Sequence, residues 1–184
     1  INMINKILKE ENPSYIMVAF DKGKTFRHEK YKNYKAGRIE TPEDLKLQFP
    51  AAKKICEAMG IKYFEIDNYE ADDIIGTFAK EVDRNEEFIA TIISSDKDLL
   101  QLISDDVVVK LLKTNDYILM DEKEFKDTYG IPPIKMIDLK ALMGDPSDNI
   151  PGIKGIGEKT ALTLLKKYKS LEGIYEHLPE IKGA

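Results

Sequence analysis

Residues 61–83, which read IKYFEIDNYEADDIIGTFAKEVD, decide the fold class of this chain. The run at 61–66 is short, apolar and partly aromatic, which is typical of a buried strand. From Ile74 to Val82 the apolar residues recur at helical spacing, and acidic residues stand where the first turn of that helix begins. A strand that leads directly into an amphipathic helix is the repeating unit of α/β proteins.

The same alternation continues on both sides of this stretch. Further strands are predicted at residues 15–20, 88–93, 107–112 and 117–120. Further helices are predicted at residues 1–11, 43–59 and 96–103. This rhythm predicts an α/β fold with a mostly parallel central sheet and helices on both faces.

The strand signals stop near residue 130, and the remaining residues are predicted to be helical. Helices are expected at 133–143, 158–168 and 171–178, with a glycine-rich turn at 152–157 between the first two. We therefore predict an α/β domain at 1–130 and a helical domain at 131–184. The chain begins inside a helical pattern and stops just after one, so we expect it to be a fragment of a longer protein.

Charge is unevenly distributed along the chain. The net charge of -5 comes from 33 acidic and 28 basic residues, but the segment 22–38 is strongly basic and carries tyrosines. It has no clean apolar face, so we predict an exposed loop or arch there, spanning about 22–40. The single cysteine, Cys56, excludes an internal disulfide. No signal peptide or membrane-spanning run is evident, and a cytoplasmic protein is expected.

Acidic residues form short clusters, most of them after predicted strands. Eight acids in these clusters are candidate metal ligands: Asp21, Glu70, Asp72, Asp73, Asp96, Asp98, Asp145 and Asp148. Acids at the carboxyl ends of neighbouring strands converge in an open α/β sheet, and converging carboxylates favour hard cations such as Mg²⁺ or Mn²⁺. Two such ions can catalyse phosphodiester hydrolysis. Each cluster alone is also explained by helix capping or a turn, but their joint occurrence favours a metal site.

Two further features are typical of nucleic-acid binding. In the basic segment, Lys35 and Arg38 are predicted to grip phosphates near the scissile bond, with Arg27 as a weaker candidate and Tyr34 able to stack on a base; a solvated loop is the alternative. The glycine-rich turn is predicted to bind DNA phosphates through backbone N–H groups and the following helix start, with an ordinary helix–helix turn as the alternative. Its candidate residues are Gly152, Lys154, Gly155, Gly157, Lys159 and Thr160.

These motifs resemble those of the bacterial 5'-3' exonuclease and flap endonuclease family. The likeness rests on residues 26–29, 34–38, 69–73, 95–99 and 144–161, and it covers nearly the whole chain. It implies a PIN-like core, a helix-three-turn-helix that grips duplex DNA and often holds K⁺, and a two-metal nuclease for 5' flaps and RNA primers in replication and repair. The resemblance implies two sets of metal ligands. The ligands of the tighter ion match Glu70, Asp72, Asp73, Asp96 and Asp98, with Asp21 beside them. The ligands of the second ion match Asp145 and Asp148.

The chain differs from the family's pattern at both of its ends. Family members begin with a strand that bears a metal-binding Asp, and this chain starts after it; their last helices also extend beyond its end. An inactive DNA-structure-binding fragment is therefore the alternative, and a ribonuclease on a similar scaffold is a third possibility. We expect a bacterial, nucleoid-associated monomer whose full-length form is fused to a polymerase.

Overall fold

The computed structural model describes residues 2–85, 87–114 and 116–181. It divides into two compact units. The first comprises Ile1–Lys32 and Arg38–Ile74, and the second comprises Asn33–Gly37 and Ile75–Ala184. Within the described ranges, no helix is long and apolar enough to cross a membrane.

The first unit is built around a pair of parallel strands. β1 (Met17–Ala19) pairs with β2 (Lys62–Phe64), with Val18 opposite Tyr63. Its helices are α1 (Asn2–Glu11), α2 (Phe26–Lys30), α3 (Glu43–Lys46), α4 (Gln48–Ala58) and the first turn of α5 (Ala71–Asp83). Helix α4 ends before Gly60, which adopts the left-handed conformation (φ 72°) that favours glycine. The buried core of this unit includes Cys56, Ile61 and Ile74.

The second unit contains a three-stranded sheet in the order β3-β4-β5. β3 (Ala90–Ser94) runs parallel to β4 (Val107–Leu112), and β5 (Tyr117–Met120) is antiparallel to β4. The side chains of β4 alternate between buried and partly buried positions, as expected of a strand with one face on the core. A 3-10 helix, Lys97–Leu102, follows β3.

In the described part of this unit, five helices accompany the later turns of α5 and two short 3-10 turns, Pro133–Lys135 and Leu178–Glu180. Four of them are α6 (Glu122–Tyr129), α7 (Met136–Met143), α8 (Glu158–Tyr168) and α9 (Leu171–Glu176), and the fifth is the 3-10 helix after β3. A short hairpin, β6 (Gly144–Asp145) with β7 (Ile150–Pro151), follows α7. One hydrophobic cluster, including the fully buried Phe125 and Leu100, joins sheet and helices.

The predicted strands and most predicted helices are present, and the mixed α/β fold with a helical C-terminal part is confirmed. The described strands of the two units form separate sheets rather than one pairing network. Helix α6 was not predicted. Its capping residue is visible in the sequence: Asp121 accepts a hydrogen bond from the Glu124 N–H.

The prediction of an exposed loop in the basic segment is wrong over α2. Thr25 and His28 form a capping box that starts this short helix. Thr25 is buried, and it forms a bridge with Asn68, the residue that precedes Tyr69. These are long-range contacts, so a search for an apolar face could not find them.

Candidate metal and nucleic-acid site

The first acidic set, Asp21, Glu70, Asp72 and Asp73, belongs to the first unit. The structure brings Asp21, which lies just after β1, to the start of α5, where its Oδ1 accepts a hydrogen bond of 2.7 Å from the Ala71 N–H. A carboxylate at a helix N-terminus is stabilised by the free N–H groups and the helix dipole. Asp21 and the acids at the start of α5 are thus neighbours, although Asp21 and Ala71 are 50 positions apart along the chain.

Within this set, Asp73 contacts a cation of the basic segment. Arg27 donates from Nη1 to Asp73 Oδ2 and from Nη2 to Oδ1, each at 2.7 Å. Asp73 Oδ2 also accepts a hydrogen bond of 2.8 Å from the Glu70 N–H. Glu70 is buried, with 7% of its surface exposed. The predicted DNA contact Arg27 and the predicted ligand Asp73 therefore bind each other in this structure.

The second acidic set, Asp96, Asp98, Asp145 and Asp148, belongs to the second unit. Asp96 is the N-cap of the 3-10 helix after β3 and accepts a hydrogen bond of 2.8 Å from the Asp98 N–H. The capping role that the sequence offered as an alternative for Asp96 is thus present. It leaves the other carboxylate oxygen of Asp96 outside the cap.

Lys140 of α7 joins two members of the second acidic set. Its Nζ lies 2.6 Å from Asp98 Oδ1 and 2.8 Å from Asp145 Oδ2. The sequence reasoning missed this residue, because nothing local marks a lysine in α7 as the partner of an acid after β3. A cation between two carboxylates offsets their mutual repulsion.

Lys140 and burial have opposite effects on the pKa values of Asp98 and Asp145. Burial raises the pKa of Asp98, and the Lys140 ammonium reverses only part of that rise. Burial also raises the pKa of Asp145, but hydrogen bonds from Lys140 and Ser147 outweigh it and hold that pKa below its ordinary value. Burial lowers the pKa of Lys140, and the two carboxylates overcome this effect and raise it. Lys140 therefore favours the charged form of both acids, and the three residues form one charged cluster.

The β6–β7 hairpin fixes the backbone that carries Asp145. Gly144 has φ 76°, and a Cβ at Gly152 would lie 2.0 Å from the carbonyl carbon and oxygen of Met143. Only glycine permits such a close approach of two backbone segments. Gly152, predicted as a phosphate-binding residue, therefore has a structural role in the hairpin as well.

The segment 33–37 is attached to the same loop by three hydrogen bonds. The Tyr34 hydroxyl donates to Asp148 Oδ2 at 2.9 Å, the Lys35 N–H donates to the Asp148 carbonyl at 2.9 Å, and Asn149 Nδ2 donates to the Asn33 carbonyl at 2.8 Å. Tyr34 is only 6% exposed. A buried ring bonded to an acid is not placed to stack on a base in this arrangement.

The remaining predicted contacts are accessible cations and a glycine turn. Lys35 has φ 56° and its Nζ lies 4.9 Å from the centre of the Tyr34 ring, while Arg38 is exposed. Residues 152–155 and 157–160 are exposed. Gly155 has φ 85°, and Gly157 is the N-cap of α8. Exposed N–H groups before a helix are suited to phosphate oxygens.

The donors of both sets suit a hard divalent ion, because all are carboxylates. Asp98 Oδ1 is buried and has only the ion pair with Lys140, without hydrogen-bond geometry. In the part of the chain that the structure describes, no three His, Cys, Asp or Glu side chains are grouped closely enough to hold an ion. Arg27 pairs with Asp73, and Lys140 pairs with Asp98 and Asp145. That all eight acids line one edge stays a prediction.

Family models match the whole chain in two parts. Residues 1–130 match the 5'-3' exonuclease, N-terminal resolvase-like domain, and residues 131–184 match the 5'-3' exonuclease, C-terminal SAM fold. The chain therefore belongs to the 5'-3' exonuclease family, and the membership and enzyme class predicted from the sequence are confirmed.

Curated relatives are DNA polymerases I. The chain is 47% identical to DNA polymerase I of Bacillus caldotenax and 44% identical to that of Bacillus subtilis strain 168, in each case over 98% of this chain and 21% of the relative. The chain thus spans about a fifth of the length of these relatives.

Solved structures agree with the fold. The 5'-exonuclease of bacteriophage T5 with bound zinc matches with a TM-score of 0.81 and 27% identity, over 99% of this chain and 70% of that one. A complex of the T5 flap endonuclease with DNA and metal ions matches with a TM-score of 0.81 and 26% identity, again over 99% and 70%. The catalytic core of Rad2 with DNA matches with a TM-score of 0.64 and 18% identity, over 97% of this chain and 55% of that one. At this identity the match supports the fold alone.

Proposed function

We propose that this chain is the nuclease part of a protein that cuts DNA at 5' flaps and at junctions of single-stranded and duplex DNA, with divalent metal ions. The observation that carries the proposal is the charged cluster of Asp98, Asp145 and Lys140 in a member of the 5'-3' exonuclease family. Acids gathered around a cation are a suitable environment for metal ions. In the related T5 flap endonuclease, both DNA and metal ions are bound.

We assign the metal-ligand role to seven acids of the two sets. They are Asp21, Glu70, Asp72, Asp96, Asp98, Asp145 and Asp148. Bound ions would supply an activated water and neutralise the charge that develops on the phosphate. Mg²⁺ is the proposed ion, with Mn²⁺ as its substitute, because carboxylate oxygens suit both.

The protein's own cations are proposed to orient the DNA. Lys35 stands next to Tyr34, whose hydroxyl is bonded to Asp148, so a phosphate held by Lys35 would be close to the loop that carries Asp145 and Asp148. Arg38, exposed in the same basic segment, is proposed to hold a neighbouring phosphate. Each contact would strengthen as charge moves onto the phosphate oxygens.

The glycine turn is proposed to hold duplex DNA away from the cut. Gly155, Gly157, Lys159 and Thr160 are exposed around the start of α8, where backbone N–H groups favour phosphate oxygens without reading bases. We propose K⁺ on backbone carbonyls of this turn, RNA primers as additional substrates, a polymerase in the same polypeptide, and a monomer in the bacterial cytoplasm at the nucleoid.

The test is cleavage of a labelled 5'-flap duplex by the full-length protein in Mg²⁺. Asp72→Asn and Asp96→Asn should nearly abolish turnover, and Lys35→Ala should reduce it about 10²-fold or more, the scale of losing one group that stabilises transition-state charge. Lys123→Ala, an exposed lysine of α6 (side chain 84% exposed), is the control and should cut at the wild-type rate.

The outcomes separate the competing functions. Binding of the flap without any product, even in Mn²⁺, would instead support a DNA-structure-binding role. Faster cutting of a matched RNA flap would support a ribonuclease. Similar mild losses in all three variants would contradict the division between ligands and phosphate contacts.

A further inference from the structure

The carboxylate of Asp73 is engaged by three hydrogen bonds from two directions. Arg27 donates one hydrogen bond to each oxygen, both at 2.7 Å. The Glu70 N–H donates a third at 2.8 Å, to the Oδ2 that also faces Arg27 Nη1. A metal ion that used Asp73 as a ligand would have to displace a paired guanidinium from it.

This pairing is stronger than an ordinary surface ion pair. The side chains of Arg27 and Asp73 are only 32% and 24% exposed, so water screens the pair weakly. A guanidinium that donates two parallel hydrogen bonds fixes the carboxylate in orientation as well as in position. Arg27 itself lies 4.6 Å from the centre of the Phe26 ring, which limits its freedom.

The pair also fixes the backbone that carries two proposed ligands. Through the Glu70 N–H, Asp73 holds the residue before α5, and Asp72 lies between these anchored positions. Around Arg27, the Phe26 N–H donates to the Asn68 carbonyl at 3.2 Å, and the Phe26 ring meets the Tyr69 ring at 5.8 Å. Arg27 and Asp73 thus join α2 to the turn that presents Glu70 and Asp72.

We propose that Arg27 and Asp73 are a positioning pair rather than a DNA contact and a metal ligand. Arg27 holds Asp73, Asp73 holds the Glu70 backbone, and the pair keeps Glu70 and Asp72 in the arrangement that binds the ion. This rests on the proposed metal-dependent nuclease function. It assigns Arg27 to metal affinity, not to contact with the phosphate chain.

A double-mutant cycle on Mn²⁺ binding tests this assignment. Arg27→Met, Asp73→Asn and the double variant are made in the full-length protein, and Mn²⁺ affinity is measured without DNA by electron paramagnetic resonance. Loss of a partner that orients metal ligands typically weakens metal affinity 10- to 100-fold. We expect each single variant to lose about 10-fold or more, and the double variant to lose no more than about 3-fold beyond either single variant, because both substitutions remove one interaction.

Two results would overturn the proposal. One is full additivity, in which Asp73→Asn weakens Mn²⁺ binding as strongly in the Arg27→Met background as in the wild type, since this would make Asp73 a ligand in its own right. The other is unchanged Mn²⁺ affinity in Arg27→Met. Asp72→Asn is the reference for a ligand, and its loss should add to that of Arg27→Met.

A second ion pair of the same unit separates positioning from plain stability. Lys53 and Glu65 are paired with side chains 23% and 25% exposed. Lys53→Met should lower the melting temperature without changing Mn²⁺ affinity. Flap cleavage by the wild type, measured in parallel, reports on the proposed function separately, because a protein that binds Mn²⁺ and cuts no flap would refute the nuclease and leave the cycle readable.

Discussion

At the scale of single residues, the basic and acidic side chains that the sequence presents as separate features are paired. Arg27 binds Asp73, and Lys140 binds Asp98 and Asp145. Two like charges about 4 Å apart cost roughly 1 kcal/mol in water and roughly 4 kcal/mol at an effective dielectric near 20. Lys140 offsets this repulsion between Asp98 and Asp145.

Lys140→Met should therefore have opposite effects on stability and on the response to metal. We expect its unfolding free energy in EDTA to fall by about 1–3 kcal/mol, because two partly buried carboxylates lose their partner. Divalent ions should then raise its melting temperature more than they raise that of the wild type, since the ion replaces the missing charge. Thermal melts with and without Mn²⁺ measure both effects.

Lys135→Met is the matched control for this prediction. Lys135 pairs with Asp138 at 2.9 Å, with side chains 29% and 16% exposed, and takes no part in the acidic sets. Its loss should lower the melting temperature by the same amount with and without Mn²⁺. A Lys140→Met variant with a metal response no larger than that of the wild type would show that the lysine is not a substitute for the ion.

At the scale of elements, sequence periodicity predicts the helices and strands that local sequence determines. It does not predict those that depend on contacts with residues far along the chain. Strands β4 and β5 lie at the predicted residues, because alternation and apolar runs are local signals. Helix α2 and the buried position of Tyr34 depend on partners far along the chain, Asn68 and Asp148. Eight-residue α6 had a visible cap, so its omission was a misreading of local sequence.

The end of α5 allows a prediction on pH dependence. Asp83 accepts hydrogen bonds from Ser104 Oγ at 2.5 Å and from Lys80 Nζ at 2.9 Å, which lower its pKa, the Ser104 bond most. A lowered pKa stabilises the fold above the ordinary carboxyl pKa, and the stabilisation is lost as the pH falls through the lowered value. Asp83→Asn should thus cost about 0.5–1.5 kcal/mol at pH 7, and less below about pH 4.

Urea unfolding from pH 3 to pH 7 measures this difference. Asp105→Asn, at an exposed position next to Ser104, is the control and should change stability little at any of these pH values. A cost for Asp83→Asn that stays constant down to pH 3 would mean that the carboxylate charge is not what stabilises this junction.

At the scale of the whole molecule, the sequence predicts the fold class and the family but not the internal pairing of charges. The acid clusters are local and visible, and the long motif at 144–161 is specific. That Lys140 would lie between Asp98 and Asp145 follows only from the packing of α7 against the 3-10 helix after β3. The chemistry of the candidate site was thus predictable, and the pairing of its carboxylates with Arg27 and Lys140 was not.

If the acidic sets bind divalent ions in the folded state, metal must stabilise the whole protein. Free ion at about 100 times the dissociation constant should add roughly 2.7 kcal/mol per site, because the unfolded chain binds it poorly. Mg²⁺, Mn²⁺ and the non-catalytic Ca²⁺ should each raise the melting temperature, and Asp72→Asn in the first unit and Asp96→Asn in the second should each reduce that rise. Asp127→Asn on α6, whose side chain is 65% exposed, should leave it unchanged. Equal responses in all four proteins would mean that neither acidic set binds the ion, whatever the family of the chain.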